Sequence, residues 1–214
     1  MNSSFRSTPA SATPAQRHRT VGWGLSDEDE VRIYQPDTER EAPLGEEGEL
    51  CCRGPYTIRG YFDAPDRNRE AFTSDGFYRT GDLAKLERVD GVTCLAIEGR
   101  LKDVISRGGE KINAEEVELL VLRHPAVVDA ALVAMPDERL GERACLYVVC
   151  GGTTATLDLD AVTKHLEQCG LAKFKWPERL ELIDALPRTN VGKLDKNALR
   201  ADVVGRIALE SAPA

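Results

Sequence analysis

Apolar and polar positions fall into two regimes along the chain, with a third stretch ahead of them that has no pattern. In the first regime, beginning near Glu30, Val31, Ile33 and Tyr34 suggest a strand closed by the turn-prone Pro36-Asp37-Thr38. Gly48–Arg53 (GELCCR) and Val92–Glu98 (VTCLAIE) also read as strands. Asp82–Glu87 (DLAKLE) runs into the Val89-Asp90-Gly91 turn and pairs with the last of these as a hairpin. Asp66–Phe72, led by Pro65, reads as a short helix. Residues 26–101 are therefore expected to be mainly β.

After Arg100 strand and helix alternate. Asp103–Ser106 reads as a short strand. Ala114–Arg123 has apolar residues at helical spacing, with Glu115 and Glu116 in its first turn and Pro125 beyond its end. Val127–Met135 and Arg143–Cys150 are apolar strands. Leu157–Cys169 is a helix stopped by Gly170, Arg179–Ile183 a strand and Lys196–Val204 a last helix. These make an α+β unit large enough to be a domain. Residues 1–28 are rich in Ser, Thr, Pro and Ala, with no acidic residue before Asp27. Such a stretch buries too little apolar surface to offset its ordering entropy, so disorder is expected. Its Arg and Ser content also fits an organelle-targeting peptide, but the apolar residues are too few for an amphipathic helix, and no secretory signal is expected.

Composition narrows the partners. Of the 214 residues, 42% are hydrophobic and 30% charged, with a formal net charge of -8. An acidic surface attracts neither a nucleic-acid backbone nor an anionic membrane, so both are excluded as expected main partners. No apolar run approaches the roughly eighteen residues of a membrane helix. The six cysteines (Cys51, Cys52, Cys94, Cys145, Cys150, Cys169) form no C-x-x-C pair, and His18, His124 and His165 lie at no metal-ligand spacing. Cys94, Cys145 and Cys150 sit in strand-like apolar runs, where a reduced thiol acts as a small hydrophobe. A metal or redox role is the alternative. The expected location is a reducing cytoplasm.

Three segments carry candidate chemistry. In Tyr78-Arg79-Thr80-Gly81-Asp82-Leu83, a glycine before an aspartate at a loop-to-strand boundary lets the backbone present a carboxylate, which can accept from two adjacent hydroxyls such as a ribose diol. A plain turn with a capping aspartate is the alternative. Glu98–Asp103 followed by Ser106-Arg107-Gly108-Gly109-Glu110-Lys111 falls where the β-rich portion meets the α+β portion, the place for a hinge. There Gly108-Gly109 allows a ligand close to the backbone or a positive φ; a charged linker and glycine turn would look the same. Pro187–Lys196 (PRTNVGKLDK) is a polar loop in which Lys193 follows Gly192, able to carry an ammonium to an anionic centre or simply to stand in solvent.

Taken together, GELCCRGPYTIRGYF (48–62), FYRTGDL (77–83), GRLKDVISRGGEKINAEEVE (99–118), FKWPERLELID (174–184) and PRTNVGKLDK (187–196) resemble, in order and spacing, the adenylate-forming superfamily of acyl- and aryl-CoA synthetases, peptide-synthetase adenylation domains and luciferases. GPYTIRGYF, a lysine at 102 and RGGEKI resemble the 2,3-dihydroxybenzoate–AMP and salicylate–AMP ligases that begin siderophore synthesis. The resemblance implies a β-rich end of the large AMP-binding domain over residues 29–101, a mobile α+β C-terminal domain over 102–206 and a tail over 207–214. It implies that Asp82 binds the ribose hydroxyls of ATP or AMP, with Arg100 beside the ribose. Lys102 would be the hinge, Gly108 and Gly109 would line the path of the incoming thiol, and Lys193 would be the catalytic adenylation lysine. The thiol belongs to an aryl carrier protein's phosphopantetheine, or to CoA. Mg²⁺ is expected with ATP, but no residue here is an expected ligand.

The departures are equally plain. The family's phosphate loop, acid pocket and adenine segment precede the residue matching Asp29, and Gly22-Trp23-Gly24 stands where relatives have Gly-Arg-Pro. The chain is thus expected to be a truncated ligase, inactive alone and needing a separate N-terminal portion. The alternatives are a non-catalytic module that binds a carrier protein or subunit, or a fragment of another acyl-CoA synthetase.

Overall fold

The computed structural model describes residues 6–24, 26–36, 38–151 and 157–210. The Pro36-Asp37-Thr38 turn includes Asp37, and the outer ends of both expected tails include residues 1–5 and 211–214; these lie outside the described residues. The chain is α+β and divides into two compact units, Met1–Lys102 and Asp103–Ala214.

The first unit opens with β1 (Arg6–Ser7), α1 (Pro14–Arg19) and β2 (Trp23–Gly24). There follow β3 (Glu30–Tyr34), β4 (Gly48–Arg53), α2 (Pro65–Ala71), β5 (Tyr78–Val89) and β6 (Val92–Arg100). The last four strands form an antiparallel sheet in the order β3-β4-β5-β6. Strand alternation sorts its residues between two faces. Ile33, Leu50, Ala84 and Leu95 cluster together, while Tyr34, Cys51 and Phe77 form a second cluster. Tyr34 meets Phe77 edge-on at 6.4 Å, and the guanidiniums of Arg32 and Arg53 each lie 4.4 Å from the Phe77 ring centre. Asp90 and Gly91 both take positive φ, 48° and 83°, as the two-residue β5–β6 turn requires.

The disorder expected over residues 1–28 does not hold for the described part of that stretch. Thr13 and Gln16 form a reciprocal capping box for α1: the Gln16 N–H donates to Thr13 Oγ1 at 3.3 Å, and the Thr13 N–H donates to Gln16 Oε1 at 2.9 Å. Gln16 is 4% exposed and its Nε2 donates to the Val89 carbonyl at 3.0 Å. Val21 N–H donates to Leu95 O at 2.8 Å, and Leu95 N–H to Gly22 O at 2.9 Å. The segment is ordered by the free edge of β6, which local composition does not reveal.

The second unit comprises β7 (Val104–Arg107), β8 (Glu110–Asn113), α3 (Ala114–Val121), β9 (Val127–Asp137), β10 (Gly141–Cys150), α4 (Leu159–Gln168), β11 (Arg179–Leu182) and α5 (Lys196–Glu210). β10 is central: antiparallel to β9 along its length, parallel to β11, and joined to the β7–β8 hairpin at Gly141 and Arg107. Both faces of the β9–β10 pair are covered, which explains the unbroken apolar runs Ala130–Met135 and Ala144–Cys150. Ala130, Leu132, Ala144, Leu146 and Val148 pack with Val117 and Val121 of α3 and Val162 and Leu166 of α4. Ala131, Val133, Met135, Cys145 and Tyr147 pack with Leu199 and Val203 of α5. β8 was not anticipated, because its four residues follow a glycine pair that reads as loop. The tail expected from residue 207 is likewise corrected: α5 continues to Glu210, whose carboxylate pairs with Arg179 at 2.6 Å.

Candidate functional site

Asp82 does not sit at a loop-to-strand boundary. It lies inside β5, where Gly81 takes φ +72° and the register slips between Leu83 and Ala84. Such a bulge re-aims a side chain without ending the strand. Asp82 is the cross-strand partner of Arg100, whose Nε is 2.8 Å from Asp82 Oδ1. The Asp82 N–H donates to Thr80 Oγ1 at 3.0 Å, and the Thr80 hydroxyl donates to the Leu50 carbonyl at 2.8 Å, so the turn is pinned to β4. Burial holds the Asp82 carboxyl above its ordinary pKa, against the opposing pull of Arg100 and Thr80. The pair offers an acceptor and a donor side by side, which fits the adjacent hydroxyls of a ribose. Lys102 is exposed at the division between the units, in the 3-10 turn Leu101–Asp103.

Gly108 and Gly109 are the two central residues of the β7–β8 hairpin, with φ of +57° and +95°. The turn needs positive φ at both, and a Cβ on Gly108 would come within 2.9 Å of Leu140 Cδ2. The Gly108 N–H donates to Leu140 O at 2.8 Å.

Lys193 is carried by a tight, self-bonded loop. Thr189 N–H donates to Lys193 O at 2.7 Å, Gly192 N–H to Thr189 O at 2.8 Å, and Asp195 N–H to Pro187 O at 2.9 Å. The Lys193 N–H donates to Thr189 Oγ1 at 3.2 Å, and Arg188 reaches Asp129 at 3.2 Å. Asp195 then caps α5, its Oδ1 accepting the N–H groups of Asn197 and Ala198, each at 3.1 Å. The Lys193 side chain is exposed and in no ion pair among the described residues.

Sequence reasoning missed a set of charges behind that loop. Lys196 Nζ is 2.7 Å from Glu118 Oε1 and 3.9 Å from Asp103 Oδ2; Arg200 Nη2 is 2.6 Å from Asp103 Oδ1. The Leu132 N–H donates to Glu118 Oε1 at 2.6 Å. Burial raises the Glu118 pKa, opposed by Lys196. The legible signal was Glu118 itself, four residues after buried Ala114 and three before buried Val121, on the core stripe of α3.

All six cysteines are free, and burial pushes Cys51 and Cys145 up to about 12, leaving those thiols inert. Among the described residues no three His, Cys, Asp or Glu side chains group to hold a metal, and no helix is long and apolar enough to cross a membrane.

Residues 116–193 match the family described as the AMP-binding enzyme C-terminal domain. That match takes in 78 of the chain's 214 residues. The chain's similarity extends beyond it. It is 50% identical to pyochelin synthase PchD of Pseudomonas aeruginosa over 87% of this chain and 33% of that protein. To the 2,3-dihydroxybenzoate-AMP ligase of Bacillus subtilis it is 49% identical over 85% of this chain and 32% of that protein. The crystal structure of ATP-bound MatB from Rhodopseudomonas palustris superposes with a TM-score of 0.81 at 32% identity, over 93% of this chain and 38% of MatB. The chain spans about a third of the length of the curated relatives it matches. Asp82 and Arg100 lie before the matched AMP-binding enzyme C-terminal domain and Lys193 is its last matched residue.

Proposed function

We propose that the chain works as the C-terminal portion of an ATP-dependent aryl-acid ligase of the 2,3-dihydroxybenzoate or salicylate type, serving siderophore synthesis in the cytoplasm. Such a ligase joins an aryl carboxylate to AMP, releasing pyrophosphate, and then passes the aryl group to a thiol. The observation that carries this reading is the half-buried Asp82 carboxylate paired with Arg100, in a chain about half identical to aryl-acid adenylating enzymes. Asp82 accepts the ribose hydroxyls and Arg100 stays beside them. Lys193, exposed and in no ion pair among the described residues, neutralises charge where the α-phosphate meets the substrate carboxylate. Lys102 is the hinge about which the C-terminal domain reorients. The Gly108-Gly109 turn, bare of side chains, gives room to the pantetheine of a carrier protein or CoA. Mg²⁺ would accompany ATP, and no residue of this chain is assigned to hold it. Cysteines that are all free support a reducing compartment.

The test supplies the N-terminal two-thirds of an aryl-acid ligase, fused or as a separate chain. Acid-dependent exchange of pyrophosphate into ATP should appear only with this chain present, and Asp82→Asn should raise the KM for ATP about tenfold or more, the scale of a lost hydrogen bond to a charged group. Exchange by this chain alone, or an unchanged KM in the Asp82 variant, refutes the reading.

A further inference from the structure

Lys193 can act only if its loop is held still, and the loop's own bonds are within its turn, from Arg188 to Asp129 and from Asp195 to the first amides of α5. At its end, where α5 begins, the chain enters the set of charges on Asp103, Glu118, Lys196 and Arg200. Asp103 is the first residue of the second unit, next to Lys102; Lys196 begins α5, three residues after Lys193. The side chains of Asp103, Glu118 and Lys196 are 16%, 13% and 13% exposed, so the set is largely withdrawn from water. Glu118 also takes the outward N–H of Leu132 on β9. One ammonium thus ties the start of α5 to α3, β9 and the start of the unit.

We propose that Asp103, Glu118, Lys196 and Arg200 are positioning residues that lock the Lys193 loop to the hinge-proximal start of the domain, so that Lys193 moves with the domain as one rigid piece. The proposal rests on the reading of Lys193 as the adenylation lysine. Its physical ground is that withdrawn, hydrogen-bonded charges fix a unique geometry: an ammonium between two carboxylates satisfies both only in one place, whereas apolar packing at the same site tolerates sliding. The value of the set is then in position rather than in stability, since apolar replacements of such groups are often as stable.

The experiment measures ¹⁵N relaxation on the full chain. In the unaltered protein the amides of Gly192 and Lys193 should have order parameters near those of the strands, about 0.85. Lys196→Met should drop both below about 0.6 while Leu146 and Val148 stay unchanged. Lys196→Arg, which keeps the charge, should restore them. The decisive variant combines Glu118→Leu with Lys196→Met: its thermal midpoint should recover, and the loop should stay loose. Should Lys196→Met not fold, Asp103→Asn gives the same test with the shape kept. A loop that remains ordered in the single variant, or regains order in the charge-free pair, overturns the proposal. Relaxation does not depend on activity, so a loop that loosens as described, in an enzyme whose adenylation ignores Lys193→Ala, upholds the coupling and refutes only the catalytic role of Lys193.

Discussion

Gln16→Ala should release the N-terminal segment from the β5–β6 hairpin without unfolding the chain. Gln16 is 4% exposed and uses both ends of its amide, one on the Thr13 N–H and one on the Val89 carbonyl, 73 residues away. Alanine removes the Gln16 half of the capping box and leaves a buried carbonyl with one partner fewer. A net hydrogen bond contributes about 1 kcal/mol, and a buried group left unpaired costs about 1–3 kcal/mol. Part of this is recovered as water reaches the site, so about 2 kcal/mol is expected, which is roughly thirtyfold in an opening equilibrium. The remaining ties are the Arg19–Glu87 pair at the surface, the Thr13–Asp90 hydrogen bond and the two backbone bonds joining Val21 and Gly22 to Leu95. The assay is native-state hydrogen exchange. The Leu95 amide should exchange about thirtyfold faster in the variant, while Leu146 in β10 is unchanged. A Leu95 rate within threefold of the original would show that the segment is held by something else. An equal rise at Leu146 would show that the loss is global.

Two further outcomes follow from the same geometry. Glu178 accepts from Arg107 at 2.7 Å and from the Ala144 N–H at 3.3 Å; burial raises its pKa, but these bonds and Arg143 prevail and hold it below the ordinary glutamate range. Its stabilisation is therefore full above that range and lost as pH falls, so Glu178→Gln should lower the urea midpoint at pH 7 by about 1 kcal/mol equivalent and flatten the acid decline; a parallel acid decline in both proteins contradicts this. Brief trypsin treatment should cut first after Lys102, exposed where the units divide, and earlier cleavage inside β9 or β10 would show the division to be misplaced.

Much of the fold was written locally. The stretches Ala130–Met135 of β9 and Ala144–Cys150 of β10 are unbroken apolar runs because each face of that pair is covered, and period-two and helical spacings located β3, β4, β6, α3 and α4 to within a few residues. What escaped was structure whose cause lies far along the chain. Thr13-Pro14-Ala15-Gln16 is a capping-box sequence, but a six-residue helix cannot hold itself, and its anchor is Val89. Asp82 was legible as a presented carboxylate, though the bulge that presents it depends on pairing with β4 and β6. Glu118 was not singled out, because Lys196, which pairs with it, lies 78 residues downstream, and Asp103, which shares that ammonium, 15 upstream.

The central claim is that this chain brings the adenylation lysine to an aryl-acid ligase, and both half-reactions of a reconstituted enzyme test it. With the N-terminal portion supplied, Lys193→Ala should slow aryl-adenylate formation by about a hundredfold or more, as expected for removing one preorganised charge at a reacting phosphate. Thioester formation from pre-made aryl-adenylate should change little, because in the proposed reorientation the 187–196 loop has left the site before the thiol arrives. Lys102→Pro, with φ fixed at the hinge, should show the reverse pattern. If Lys193→Ala slows both steps equally, Lys193 serves folding or docking, and the account is contradicted.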